Sequence, residues 1–210
     1  MGQLAFFVNS DICIGCKCCE AACKDIKDLP LGPRPRFVRD FVGGEWKVDV
    51  TDPTLYRQEG VFIYHVSVSC NHCANPACVA ICPVGSMTKD PETGIVSNDL
   101  EACIGCGSCY DTCPYKAPQI LESDMKAYKC DFCKDLLEAD EKPACVATCP
   151  MRALDYGEHS DLMAANGDAC DVAPLPSSEE TGPSLVLKLH REAKMDKSDG
   201  YSTSLYVSDR

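Results

Sequence analysis

The spacing of the cysteines constrains this chain more than any other feature, because sixteen of its 18 cysteines fall into four groups of four. Groups one and three share the spacing Cys-x2-Cys-x2-Cys-x3-Cys, whereas groups two and four have longer central gaps. In chain order, the groups are Cys13, Cys16, Cys19 and Cys23; Cys70, Cys73, Cys78 and Cys82; Cys103, Cys106, Cys109 and Cys113; and Cys130, Cys133, Cys145 and Cys149. Side chains used as ligands in this number cannot act as ordinary packing residues. Bound metal is therefore predicted to hold much of the fold together.

The compact spacing is typical of bacterial ferredoxins, where it binds a cubic 4Fe-4S cluster. Two-residue gaps let a tight loop bring three thiolates to three iron corners, and Gly15 and Gly105 allow the backbone to approach the cluster. In two-cluster ferredoxins the fourth cysteine of each group binds the other cluster. The sequence therefore predicts four 4Fe-4S clusters in an α+β fold built from two ferredoxin-like units, with a small core organised by the clusters.

An internal repeat supports two such units. Residues 76–83 (PACVAICP) recur as residues 143–150 (PACVATCP), and residues 11–16 (DICIGC) are echoed at 101–106 (EACIGC). Repetition at this scale indicates an ancient duplication.

The order of the groups predicts that one unit is inserted in the other. Groups two and three are joined by a turn at residues 90–94 and a short strand at 95–97, which predicts an inner unit over residues 60–120. Groups one and four then form an outer unit from residues 1–40 and 121–158. The predicted strand at residues 4–8 and the segment at 149–156 resemble the matching pieces of the inner unit.

This pairing assigns the sixteen cysteines to four ligand sets. Set A is Cys13, Cys16, Cys19 and Cys149; set B is Cys130, Cys133, Cys145 and Cys23; set C is Cys70, Cys73, Cys78 and Cys113; set D is Cys103, Cys106, Cys109 and Cys82. Cys18 and Cys170 stand outside the pattern, and we interpret them as a bystander and a plain thiol.

The segments outside the units carry weaker signals. Residues 41–59 are predicted to be a connecting hairpin or loop, with a short hairpin around Gly43 and Gly44. The segment at 159–210 is poor in apolar residues and is predicted to be an extended partner-binding arm that cannot bury itself. The loop before residue 41 contains three arginines, Arg34, Arg36 and Arg39. We interpret them as solvated, with docking of an acidic partner as the alternative. His72 is interpreted as a residue behind a cluster loop or at the surface.

Composition excludes several classes of function. A net charge of −12 argues against nucleic acid or an anionic membrane face as the main partner. No apolar run is long enough for a membrane helix. Structural zinc is disfavoured because four cysteines within eleven residues are too compact for a zinc ribbon, and a disulfide scaffold is disfavoured because no export signal is recognisable. No nucleophile–base pair or phosphate loop is found, which predicts one-electron transfer without a catalytic site in this chain.

Five motifs together resemble the iron–sulfur subunit of the dimethyl sulfoxide reductase family of molybdopterin oxidoreductases. They are SDICIGCK at residues 10–17, GGEW at 43–46, SCNHC at 69–73, CIGC at 103–106 and VAPLP at 172–176. The resemblance runs from about residue 4 to about residue 190. Nitrate reductase relatives carry tryptophan at the position of Cys106 and bind a three-iron cluster there, so Cys106 implies a four-iron cluster in this protein.

The resemblance implies a place in a respiratory complex. The chain would relay electrons between a quinol-oxidising membrane anchor and a molybdopterin catalytic subunit, with its C-terminal arm on the catalytic subunit. The complex is expected on the extracytoplasmic face, exported with the catalytic subunit, and a cytoplasmic location is the alternative. A free-standing polyferredoxin-type carrier with soluble partners is the alternative function.

Overall fold

The computed structural model describes residues 2–202 as a succession of short helices and strands. Its strands are β1 (Leu4–Asn9), β2 (Arg36–Val48), β3 (Tyr56–Ser69), β4 (Met87–Lys89), β5 (Val96–Asn98), β6 (Gln119–Leu121), β7 (Lys126–Tyr128), β8 (Leu154–Glu158), β9 (Leu185–Lys188) and β10 (Tyr201–Ser202). Its α-helices are α1 (Cys18–Ile26), α2 (Ala77–Ala80), α3 (Ser108–Thr112), α4 (Lys134–Glu138), α5 (Ala144–Ala147) and α6 (His159–Asn166). Helices and strands mix along the sequence, as predicted for an α+β protein. None of the helices in this described part is long and apolar enough to cross a membrane.

The helices next to the cysteine loops begin after a backbone reversal. Lys17 precedes α1 with φ 62°, Gly107 precedes α3 with φ 80°, and Cys133 precedes α4 with φ 51°. A left-handed residue turns the backbone sharply, which lets a loop curve around a common centre and then leave it as a helix.

Two antiparallel pairs join the ends of the cysteine groups. Strands β4 and β5 pair across the turn at residues 90–94, where Asp90 Oδ1 accepts a hydrogen bond from the Thr93 amide at 2.7 Å. This hairpin is confirmed. Strand β1 pairs with β8 in register Leu4 to Glu158, which brings the first strand next to the end of group four. The insertion of one whole unit in the other stays a prediction.

The connecting segment is a long hairpin rather than a short one around Gly43 and Gly44, so that prediction is wrong. Strands β2 and β3 have 13 and 14 residues, and the backbone reverses at residues 49–55. The glycine pair forms an irregularity inside β2, where Gly44 has φ 101° and lies against the backbone of Val61. The reversal lies farther along because Asp49 accepts a hydrogen bond from the Thr51 amide at 2.8 Å.

The C-terminal segment packs on its own chain through residue 202. Strand β9 pairs in parallel with β1, in register Phe6 to Leu185, and Tyr64 Oη donates to the Ala173 carbonyl at 2.6 Å. The prediction of an extended arm that cannot bury itself is therefore wrong for this part. The short apolar run of β9 is buried because it completes the edge of β1 rather than forming a core of its own. Residues 203–210 lie outside the described part.

The core lies between β1, β3 and the cysteine loops. Phe6 and Phe132 stack with ring centroids 4.1 Å apart, beside the buried Val8, Val66 and Val68. Cysteines from all four groups belong to this core or pack against it. The strands therefore form a rigid frame around the cysteine loops.

Candidate metal centres

Three recesses are each lined by four cysteines of one predicted set. One of about 330 Å³, counting space open to solvent, is lined by the cysteines of set A and by Pro150. A second of about 380 Å³ is lined by those of set C, and a third of about 320 Å³ by those of set D. In each recess three cysteines come from one part of the sequence and one from another group; these fourth members are Cys149, Cys113 and Cys82. The structure thus brings together the cysteines that the pairing rule grouped.

The four cysteines of set B lie deeper. All four are buried, Cys23 on α1, Cys145 on α5, and Cys130 and Cys133 on the loop before α4. Burial raises the pKa of Cys23 to about 12, and the nearby charges of Cys145 and Cys133 act in the same direction. Cys23 therefore lies with group four rather than with the first three cysteines of its own group.

Burial also opposes ionisation of three further thiols, whereas a hydrogen bond with Ser86 and backbone hydrogen bonds lower the pKa of Cys82 to about 7 despite its burial. Burial raises the pKa of Cys13 and of Cys73 to about 11, and that of Cys78 to about 12. Only the thiolate binds iron, so these sites favour anionic ligands only when a metal supplies compensating positive charge.

No three Cys, His, Asp or Glu side chains within residues 2–202 are close enough together to hold a single metal ion.

Arg36 lies inside this cysteine-rich core, so the interpretation of a solvated loop is wrong for it. Its side chain is 1% exposed, and its guanidinium donates to Ser67 Oγ and Ser69 Oγ, both at 3.0 Å. The ionisable groups that act most strongly on it are the thiols of Cys145, Cys130, Cys19 and Cys23. No carboxylate in the described part of the chain forms an ion pair with it.

A buried cation is stable only with a compensating negative charge. Ionised cysteines of sets A and B would supply that charge, whereas protonated thiols would leave Arg36 uncompensated. The residues present therefore fit thiolate-ligated iron clusters. Sequence reasoning missed this because three arginines in a Pro-rich stretch look like a solvated loop. Strand alternation from Arg36 onward turns its side chain towards the cysteines and that of Arg39 to the opposite face.

The other two arginines of that loop are half-buried. Arg34 pairs with Glu20 at 3.1 Å, and the Arg39 guanidinium lies 5.1 Å from the ring centroid of Phe37.

Each set also has one cysteine whose main-chain carbonyl accepts a hydrogen bond from a cationic side chain. The pairs are Arg152 with Cys149, Lys129 with Cys130, Lys89 with Cys73, and Lys126 with Cys103. These cations stabilise the backbone of the loops and add positive charge beside the thiols. Their sequence signal is weak, although Lys129 directly precedes Cys130.

His72 lies behind the loop of set C and is buried. Its Nδ1 accepts a hydrogen bond from the Val96 amide at 2.9 Å, and its ring centroid lies 5.2 Å from that of Phe132. Burial, followed by the charge of Lys129, lowers the pKa of His72 well below its usual value, so its ring is neutral. His72 therefore supports the loop from behind, which was one of its two interpretations, and it does not lie at the surface.

The two remaining cysteines line none of the three recesses. Cys18 is exposed, and the neighbouring Cys16 raises the pKa of its thiol. Cys170 Sγ lies 3.8 Å from Asp171 Oδ2.

Comparison with known proteins agrees with this geometry. A family profile described as a 4Fe-4S dicluster domain matches residues 61–159. The B subunit of anaerobic dimethyl sulfoxide reductase from Escherichia coli strain K12 is 45% identical over 186 residues, which cover 89% of this protein and 88% of that subunit. The corresponding subunit of Haemophilus influenzae is 40% identical over 195 residues, with 93% of both proteins covered.

A more distant relative is named by its role. The thiosulfate reductase electron transfer subunit PhsB of Salmonella typhi is 39% identical over 146 residues, covering 69% of this protein and 70% of that one. The profile shows that the protein contains a 4Fe-4S dicluster domain, and one of these relatives is named as an electron transfer subunit of a reductase. On its identity and coverage with these relatives, the protein belongs to the family of the iron–sulfur subunit of anaerobic dimethyl sulfoxide reductase.

Proposed function

We propose that this protein carries four 4Fe-4S clusters on sets A, B, C and D. The observation that carries the proposal is that three recesses are each lined by the four cysteines of one set. Further support comes from the burial of set B around Arg36. When bound, the clusters supply reversible one-electron transfer. The protein's own residues hold the ligands, exclude water from the buried sets, and place positive charge beside them.

The clusters are proposed to lie in the order A, B, C, D. Cysteines of adjacent sets lie close enough for the charge of one to raise the pKa of the other, or they pack in the same apolar cluster. These neighbours are Cys19 and Cys145 for A and B, Cys130 and Cys70 for B and C, and Cys78 and Cys82 for C and D. A single file of this kind conducts electrons from one end to the other.

At the two ends of this file, sets A and D each have an exposed cysteine next to an exposed apolar side chain, which suits contact with a partner protein. Cys16 of set A and Cys106 of set D are exposed, beside the exposed Ile14 and Ile104. The cysteines of set B are all buried. We infer that set D receives electrons from a quinol-oxidising membrane anchor and that set A passes them to a molybdopterin catalytic subunit of a dimethyl sulfoxide reductase type.

The location of the complex is also a proposal. We infer the extracytoplasmic face of the membrane, with export alongside the catalytic subunit, because the family resemblance implies that route. Protease treatment of intact spheroplasts should degrade this protein, and protection until lysis would contradict the proposed side.

Metal analysis of the complex, purified without oxygen from its host, tests the function. Four clusters require about sixteen iron atoms in this subunit. Iron at or above that number with one molybdenum or tungsten supports the relay subunit. Iron near sixteen with neither metal would favour a free-standing carrier, and zinc in place of iron would contradict the proposal.

A further inference from the structure

Arg36 is a buried cation beside cysteines of sets A and B. We propose that it is a positioning residue that raises the reduction potentials of the clusters on sets A and B; this rests on the proposed function, because it requires clusters on those sets. Its guanidinium is fixed by Ser67 and Ser69 on β3 and by the ring of Phe6, whose centroid lies 4.4 Å away. An arginine keeps its charge at every physiological pH.

The contact with set A runs through Ser67. Ser67 Oγ accepts the hydrogen bond from Arg36 and lies 3.4 Å from Cys19 Sγ. A cluster-bound thiolate has no proton to donate, so Ser67 would donate its hydroxyl proton to the sulfur. Arg36 thereby orients a hydrogen bond to a predicted iron ligand. Hydrogen bonds to cluster sulfur are one of the factors that set the potential.

The contact with set B is electrostatic. The guanidinium lies on the ring of Phe6, which shares one buried core with Cys130 and Cys145 of that set. The thiols of Cys145, Cys130 and Cys23 are three of the four ionisable groups that act most strongly on Arg36. Burial lowers the local dielectric, so the charge acts more strongly on these ligands than it would at the surface.

The direction of the effect follows from charge. Reduction adds one electron to the cluster and no proton, so the reduced cluster is more negative by one unit. A fixed cation stabilises the reduced form more than the oxidised form, and the potential rises. Set D lies at the far end of the proposed file, and none of its cysteines is among the groups that act most strongly on Arg36. Set C lies nearer, because Ser69 accepts a hydrogen bond from Arg36 and donates one to the carbonyl of Cys70.

The test is a redox titration of the intact complex, followed by electron paramagnetic resonance, with the variant Arg36→Gln. The equilibrium constant for reducing the clusters of sets A and B should fall tenfold or more, which corresponds to about 59 mV for one electron. The signal of set D, at the far end of the proposed file, should not move. Arg39→Gln is the matched control, because it removes the same charge from the opposite face of β2.

Each outcome decides the proposal. If Arg36→Gln retains four clusters with unchanged potentials, the proposal is wrong. If it loses iron, Ser67→Ala decides: a lowered potential confined to set A supports the proposal, and an unchanged one overturns it. Failure of the proposed function would show separately, as fewer than four clusters in the unsubstituted complex.

Discussion

Leu187 tests whether the C-terminal segment stabilises this protein itself. Its side chain is 1% exposed on β9, opposite Val8 of β1, and its neighbours Leu185 and Val186 are equally buried. Replacing a buried leucine by alanine removes apolar contacts and leaves a cavity, at a cost of about 2–5 kcal/mol. Single domains have total stabilities of about 5–15 kcal/mol, so Leu187→Ala should remove a large share of the total.

Thermal loss of the clusters measures this effect. In a protein of this size 1 kcal/mol corresponds to about 2–4 °C, so the midpoint should fall by about 4–20 °C. The assay follows the visible absorbance of the clusters during anaerobic heating of the purified complex. Met195→Ala is the control, because Met195 lies in the same segment but is 65% exposed.

The comparison distinguishes two roles of the segment. An arm held only by a partner subunit would tolerate both substitutions equally, since neither side chain would contribute to the fold of this protein. Equal midpoints for the Leu187→Ala, Met195→Ala and unsubstituted proteins would therefore refute the reasoning. A lower midpoint for Leu187→Ala alone would support it.

Three further predictions concern the cysteine sites and their frame. Cys106→Ser should convert the cluster of set D to a three-iron form and slow quinol-linked turnover; an unchanged low-temperature resonance spectrum would contradict the assignment. Because burial raises the pKa of Cys73 and of Cys78, iron binding must displace protons, so reconstitution of the metal-free protein should strengthen from pH 7 to pH 9, and proton release into weak buffer measures this. Asp90→Ala removes three hydrogen bonds from Glu92 and Thr93, and a lower midpoint of denaturant unfolding is expected; an unchanged midpoint would show that the turn forms without it.

The sequence was sufficient for the features that depend on short-range spacing. The four cysteine groups, the strand at residues 4–8 and the hairpin across residues 90–94 could all be predicted, because each depends on nearby residues with strong local preferences. Sharing of cysteines between groups was predicted from the ferredoxin rule, and the lining of the recesses agrees with it.

The features that were missed depend on distant contacts. The burial of β9 requires the free edge of β1, about 180 residues earlier in the sequence, and no local pattern at residues 185–188 indicates that edge. The reversal of the long hairpin at 49–55 outweighs the glycine signal at residues 43–44, because the two strands continue to pair beyond it. In both cases tertiary pairing overrides the local composition.

Charge gives an independent argument for the nature of the centres. The protein has 32 acidic side chains, yet the buried Arg36 faces cysteines and not a carboxylate of the described residues. Lys129, also buried, donates to the carbonyl of Cys130. A disulfide scaffold would be neutral at these positions and would leave Arg36 without a counter-charge, at a cost of several kcal/mol. Positive charge stabilises an anionic iron–sulfur centre beside it, so the position of the cations follows from the same chemistry as the spacing of the cysteines.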